Sequence, residues 1–187
     1  MAETQKRIVI TGIGAISAAG WTAPDLWQAL IDGRCASTLY QNSELPSQIV
    51  AGQIPDFDGS SGVPRSFKER LSRSALLALE AAIQAIADAR INFSPENGYQ
   101  AAAIIGSAHG VSQHETQSLP FFSTGLSGST MGLNIAGPAY VINADGASSL
   151  AAIHHAMDLI RSGRVSVALA GGADAPLSPE IIGAYRA

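Results

Sequence analysis

Cysteine is nearly absent from this chain: Cys35 is the only one in 187 residues. A lone thiol cannot close an internal disulfide, and no histidine or second cysteine stands beside it to share a metal ion, which fits a reducing compartment. Cys35 lies in Asp32-Gly33-Arg34-Cys35, a helix stop with no adjacent base, so it reads as a small half-buried residue and not as a nucleophile. Charge is scarce as well. Charged residues make up 14% of the chain and the net charge is −4, so there is no basic surface for nucleic acid. No apolar run is long enough to span a membrane, and the stretch from Met1 to Arg7 lacks the apolar core of a signal peptide. A cytoplasmic protein is the default expectation. What is present is a 47% hydrophobic composition over a length suited to one domain with its own core, taken as residues 1–187.

Residues 139–163 carry the clearest pattern. Tyr140, Val141 and Ile142 form a β-branched and aromatic run; Leu150, Ile153, Met157 and Ile160 then recur at three- and four-residue intervals, so a strand turns directly into a helix. The turn is Asp145-Gly146. Asp145 is expected to cap the first free N–H groups, Gly146 to relieve the strain of a tight turn, and Arg161 and Gly163 to mark the helix stop. Such a turn projects a side chain at a helix N-terminus, where the dipole would stabilise a thiolate or an oxyanion.

The rest of the chain reads as alternating strands and helices. Residues 7–14 (RIVITGIG) form a buried-type strand ending in glycines, and Gly12 and Gly14 invite a dinucleotide-binding reading. That motif wants a third glycine where Ser17 stands, so an NAD(P)-binding oxidoreductase is the weaker alternative. A helix with Pro24 in its first turn is expected over 23–31, a short strand over 49–54, and the longest helical run over 65–90. From 75 to 89 only Glu80, Gln84 and Asp88 are strongly polar. They form one narrow stripe, so this helix is expected to be buried between layers of an α/β fold. Its start is basic, with Arg65, Lys68, Arg70 and Arg73, but Glu69 is mixed in, as on a solvated face. Residues 100–107 and 164–170 read as further strands. His109 and His114 beside Glu115 lack a local third ligand, and His154 and His155 point about a hundred degrees apart on a helix. No metal site and no cofactor is expected.

Several of these segments together resemble the N-terminal half of the β-ketoacyl synthases. The opening strand with its Thr-Gly-x-Gly, from Thr11 to Gly20, the helix carrying Trp27 and Leu30, Pro120-Phe121-Phe122, Gly137-Pro138 before the elbow strand, and Gly171-Gly172-Ala173-Asp174 all match. Ala147, Ser148, Ser149 and Leu150 match the residues after the family's nucleophilic cysteine, and Gly146 falls on the cysteine itself. The resemblance implies a thiolase-like layered α/β fold, here one βαβαβ-type half with a mixed five-stranded sheet and a buried helix. It implies that the catalytic histidines and supporting lysine belong to a second half outside the resemblance.

With Gly146 at the cysteine address, the resemblance implies a non-catalytic chain-length-factor-like subunit of a 3-oxoacyl-[acyl-carrier-protein] synthase complex. Such a subunit of a type II polyketide system would pair with a full-length ketosynthase as a heterodimer or heterotetramer. The aryl-polyene type of pathway fits a truncated version best. Residues Tyr140, Val141, Ile142 and Asn143 would form the dimer edge, Phe121, Phe122 and Met131 the acyl tunnel, and Arg65, Lys68, Arg70 and Arg73 the docking face for an acyl carrier protein. The alternative is a non-catalytic dimerisation fragment, or a decaying split ketosynthase.

Overall fold

The computed structural model describes residues 7–45, 47–54, 57–59, 64–69, 71–109 and 133–186. Helix α1 (Ala23–Ile31) begins where Thr22, in extended backbone, accepts the Asp25 N–H through its hydroxyl, with Pro24 in the first turn where no N–H is needed. Strands β1 (Ser37–Tyr40) and β2 (Ile49–Gly52) pair antiparallel, with Leu39 opposite Val50. The helical run expected over 65–90 is two helices, α2 (Arg65–Lys68) and α3 (Arg73–Ala89). Ser72 starts the second by accepting the Ala75 N–H, and Arg90 ends it in the left-handed region.

Three parallel strands make the central sheet: β3 (Ala101–Gly106) in the middle, β4 (Ala139–Ile142) on one side and β5 (Val167–Gly172) on the other. Helix α4 (Ser148–Arg161) connects β4 to β5, and α5 (Pro179–Arg186) follows β5. The α/β class holds, and both strand orientations are present. Among the described residues, however, the five strands divide into an antiparallel pair and a parallel three and do not join in one sheet. The expected strand over 7–14 makes no ladder, because its backbone lies on α3 and bonds to that helix's polar side chains instead.

The period of two along β3 builds the layers. Ala101, Ala103 and Ile105 face one side with Leu79, Ala82, Leu133 and Ile135 of the α3 layer. Ala102 and Ile104 face the other with Ala152, Ala156 and Leu159 of α4. Every β3 residue is buried, and its run of alanines lets α4 approach closely. The sheet-facing side of α4 is therefore built from small residues. Leu150 and Ile153, expected on its apolar face, are 70% and 42% exposed. Gly106 completes the close fit: a β-carbon there would lie 2.3 Å from backbone atoms of Ser148, so only glycine lets the first turn of α4 rest on the strand end.

Candidate functional site

The turn between β4 and α4 is where the sequence places its chemistry. Asp145, not Gly146, carries the unusual backbone, with φ of 50°, a conformation that Asp tolerates better than most residues. Asp145 does not cap α4: Ala147 is the N-cap residue and makes no side-chain capping bond. The turn is held by Ser148. Its hydroxyl donates to the Asp145 carbonyl at 2.6 Å and accepts the Ala144 N–H at 3.0 Å, and the residue is 4% exposed. Gly146 has open space around its missing β-carbon and no positive φ, so the fold makes no demand for glycine there. Its expected role in relieving strain belongs to its neighbour.

Around the turn lies an open cleft of about 230 Å³ lined by Gly106, Ala108, Asp145, Gly146, Ser149 and Asp174, among others. Asp174 ties one wall together. It accepts the Ser107 hydroxyl at 2.8 Å, the Ala108 N–H at 3.0 Å and the His109 N–H at 3.3 Å. The His109 imidazole stands 3.5 Å from the same carboxylate through Nδ1 and 2.6 Å from the Tyr185 hydroxyl through Nε2. Asn143 closes the other side, donating to the Ala108 carbonyl at 3.0 Å and accepting the Asp145 N–H at 3.2 Å. The cleft therefore offers hydrogen-bonding walls but no thiol at its apex, and among the described residues no group of three or more His, Cys, Asp or Glu side chains could hold a metal ion.

Ser148 is the elbow residue whose structural role its sequence context hides, since a serine in a first helical turn is ordinary. Ser148→Ala is expected to cost about 0.5–1.5 kcal/mol, because the Ala144 N–H and the Asp145 carbonyl lose their hydroxyl partner in a part-buried setting. Ser149→Ala, which removes only an exposed hydroxyl, should stay within about 0.5 kcal/mol. Urea unfolding midpoints at unchanged slope measure both.

The other candidate residues are dispersed. Tyr140, Val141 and Ile142 lie on β4, an end strand of the sheet, and the Tyr140 ring meets His155 edge-on at 5.1 Å. Asn143 spends its side chain within the chain. Of the basic residues, Arg73 donates to the Phe57 and Ile54 carbonyls and lies over the Phe57 ring, and Lys68 donates to the Gly59 carbonyl at 3.2 Å. Arg65 pairs with Glu69 at 3.0 Å in solvent. Phe121, Phe122, Met131 and Arg70, like His114 and Glu115, fall outside the described residues. His154 pairs with Asp158 at 3.5 Å on the helix surface.

The polar stripe of α3 has partners that the sequence did not suggest. The Ile13 N–H donates to Asp88 at 2.9 Å, the Ala15 N–H to Gln84 at 3.2 Å, and the Gln84 amide donates to the Trp21 carbonyl at 2.8 Å. Gly12 and Gly14 are what bring that backbone so near: a β-carbon would lie 2.2 Å from the Ala85 carbonyl oxygen or 1.9 Å from that of Ala81. The glycines that invited a dinucleotide reading thus serve helix packing.

A helix seated by glycine on the end of a parallel sheet, with a strand-to-helix elbow above an open cleft, is the N-terminal half of a thiolase-like ketosynthase fold. The sequence profile described as "Beta-ketoacyl synthase, N-terminal domain" matches residues 5–187, and the chain belongs to that family. It is 30% identical to a putative polyketide beta-ketoacyl synthase 1 of Streptomyces cyaneus over 210 residues, covering 97% of this chain and 49% of that one. It is 30% identical to nodulation protein E of a Rhizobium species, strain N33, covering 97% and 50%. Among solved structures, the ishigamide ketosynthase/chain length factor superposes with a TM-score of 0.77 at 22% identity, covering 98% of this chain and 51% of that one. A type II polyketide synthase ketosynthase solved with its acyl-carrier protein, bound to the hexaketide, gives 0.70 at 21%, covering 97% and 48%. The chain spans about half the length of the relatives it matches. No helix among the described residues is long and apolar enough to cross a membrane.

Proposed function

We propose that this chain is a non-catalytic, chain-length-factor-like subunit that associates with a complete ketosynthase in polyketide or fatty-acid-type elongation, with the aryl-polyene type as the specific pathway. The observation that carries the reading is Gly146. Acyl transfer through a covalent intermediate needs a nucleophile, an activating base and an oxyanion site together, and in subtilisin loss of the nucleophile alone costs on the order of a millionfold in turnover. Gly146 offers only hydrogen at the apex. Ser148 and Ser149, whose residues line the cleft, have no base beside them in sequence.

Surface chemistry supports a partner. β4 ends the described sheet, which makes it a template for further pairing. Beside it Tyr140, Leu150 and Ile153 are exposed, and burying a large apolar side chain is worth about 1.5–3 kcal/mol. The proposed partner pairs along Tyr140–Asn143 and covers this apolar face, while Phe121, Phe122 and Met131 shape its acyl tunnel. Arg65 and its basic neighbours contribute to carrier-protein docking.

Co-expression with a complete ketosynthase encoded beside this chain tests the reading. Co-purification is expected, with a gain in the partner's solubility or condensing activity, and Val141→Pro, which removes a ladder N–H from β4, is expected to abolish it. A partner equally soluble and active alone that never co-purifies would refute the proposal and favour the dimerisation-fragment or split-gene alternative.

A further inference from the structure

Helix α4 carries a second apolar stripe, which the sheet leaves largely open. At about 100° per residue, Leu150, Ile153, Met157 and Ile160 lie roughly 110° around the helix from Ala152, Ala156 and Leu159, which pack with β3. Leu150 is 70% and Ile153 42% exposed, Met157 is half-buried, and Ile160 is only partly packed against the core. Intervals of three, four and three residues are those of a seam between helices. They also read the same from either end. In an antiparallel pair of α4 helices centred at the level of His155, Leu150 of one copy meets Ile160 of the other and Ile153 meets Met157, so one stripe supplies both sides of a two-fold contact. The polar border of the stripe does not oppose this. His154 and Arg161 both turn to Asp158, at 3.5 and 3.7 Å, so the border is mixed in sign and paired within its own helix.

We propose that two copies of this chain pair antiparallel through α4, along Leu150, Ile153, Met157 and Ile160. A second copy is the occupant because the match is built into the spacing: intervals in an order such as four, three, three would not map onto themselves when reversed. Pairing takes the stripe out of water and buries no charge, since the ion-paired residues stay at its border. Leu150 and Ile153 are also residues that the complete ketosynthase is proposed to cover. The self-pair therefore holds the free chain in reserve and gives way to that partner, and this exclusivity alone rests on the functional reading above.

Sedimentation of the intact chain, with no other protein present, tests the pair. A concentration-dependent equilibrium between monomer and dimer is expected. Leu150→Glu and Ile153→Glu, each at an exposed position, should weaken it about tenfold or more with far-UV circular dichroism unchanged. Cross-linking reads the direction. In a Cys35→Ser background, which removes the only cysteine, His154→Cys should be joined to its twin by a short bismaleimide, because the two lie about 3 Å apart along the helix axis. Ser149→Cys should not, since its twin is about 18 Å away along the axis. A chain that stays monomeric at millimolar concentration, a dimer indifferent to both glutamates, or joining at 149 and not at 154 would overturn the proposal. Adding the ketosynthase has its own outcomes. Loss of the 154 cross-link as the heterocomplex forms supports exclusivity, and a heterocomplex that keeps it refutes exclusivity. A pair that persists with no heterocomplex refutes the functional reading and leaves the pairing standing.

Discussion

Gly106→Ala is expected to destabilise the fold by about 3 kcal/mol or more, while Gly146→Ala, forty residues on in the same cleft, should leave stability within about 0.5 kcal/mol. The contrast follows from where each new methyl would go. At 106 it would sit 2.3 Å from the Ser148 carbonyl carbon and oxygen and 2.6 Å from the Ser149 nitrogen, all backbone atoms of α4. Backbone cannot rotate aside as a flexible side chain can, so α4 must lift off β3. Lifting it opens gaps around Ala152, Ala156 and Leu159 and strains the Ser148 bonds that hold the elbow. At 146 the methyl meets nothing within 4 Å, and the backbone there needs no glycine. For a chain of this size the first substitution should lower the melting temperature by about 6–12 °C and the second hardly at all. Equal shifts for the two would mean that the helix is not seated on the strand end in this way. The same comparison bears on function: if alanine is tolerated at 146, packing does not explain the glycine, and the missing nucleophile becomes a property of the site and not a by-product of the fold.

Some of this is legible in the sequence, and the rest is hidden for identifiable reasons. Helix α1 and strand β3 announce themselves because local signals and burial agree: Thr22 and Pro24 at a helix start, and an unbroken apolar run of strand length. The stop of α4, with Arg161 in its last turn and Gly163 just beyond, is readable for the same reason. Its buried side is not. Periodicity picks out the largest apolar residues, Leu150, Ile153, Met157 and Ile160, whereas close packing on an alanine-rich strand selects Ala152 and Ala156, with Leu159. Tertiary geometry thus overrides hydrophobic size. The cap at the elbow misleads because Asp145 has the right chemistry at nearly the right place; its left-handed backbone takes it out of the capping position, and Ser148 ties the turn from inside the helix. Helix α5 escapes a reading by periodicity, although Ser178-Pro179-Glu180 is a helix-start signature, because eight residues are too short a run to establish a period. The role of Asp174 is beyond reach, since the loop that it holds lies sixty-odd residues away in sequence.

Gly14→Ala should be as damaging as the change at 106, and its damage should be coupled to Gln84. A β-carbon at 14 would fall 1.9 Å from the Ala81 carbonyl oxygen and 2.8 Å from the Ala85 nitrogen, so the segment 12–15 must move away from α3. Moving it also breaks the Ala15–Gln84 and Ile13–Asp88 hydrogen bonds, leaving polar groups of the stripe without those partners. The expected cost is about 3 kcal/mol or more. Gln84→Ala alone loses the polar part only, about 1–2 kcal/mol. In the double variant the second loss has largely been incurred by the first, so the pair should be less damaging than the sum by at least about 1 kcal/mol. A dinucleotide-binding loop behaves in the opposite way. Alanine in it would leave the unfolding midpoint of the unliganded chain almost unchanged, would show no coupling to Gln84, and would instead remove a thermal shift on adding NAD(P). Unfolding curves for the two single variants and the double, with and without the nucleotide, separate the readings. Strong coupling with no nucleotide shift would establish Gly12 and Gly14 as the contact that lets a strand-like segment cover the polar side of α3, which is how that helix comes to be enclosed on both sides.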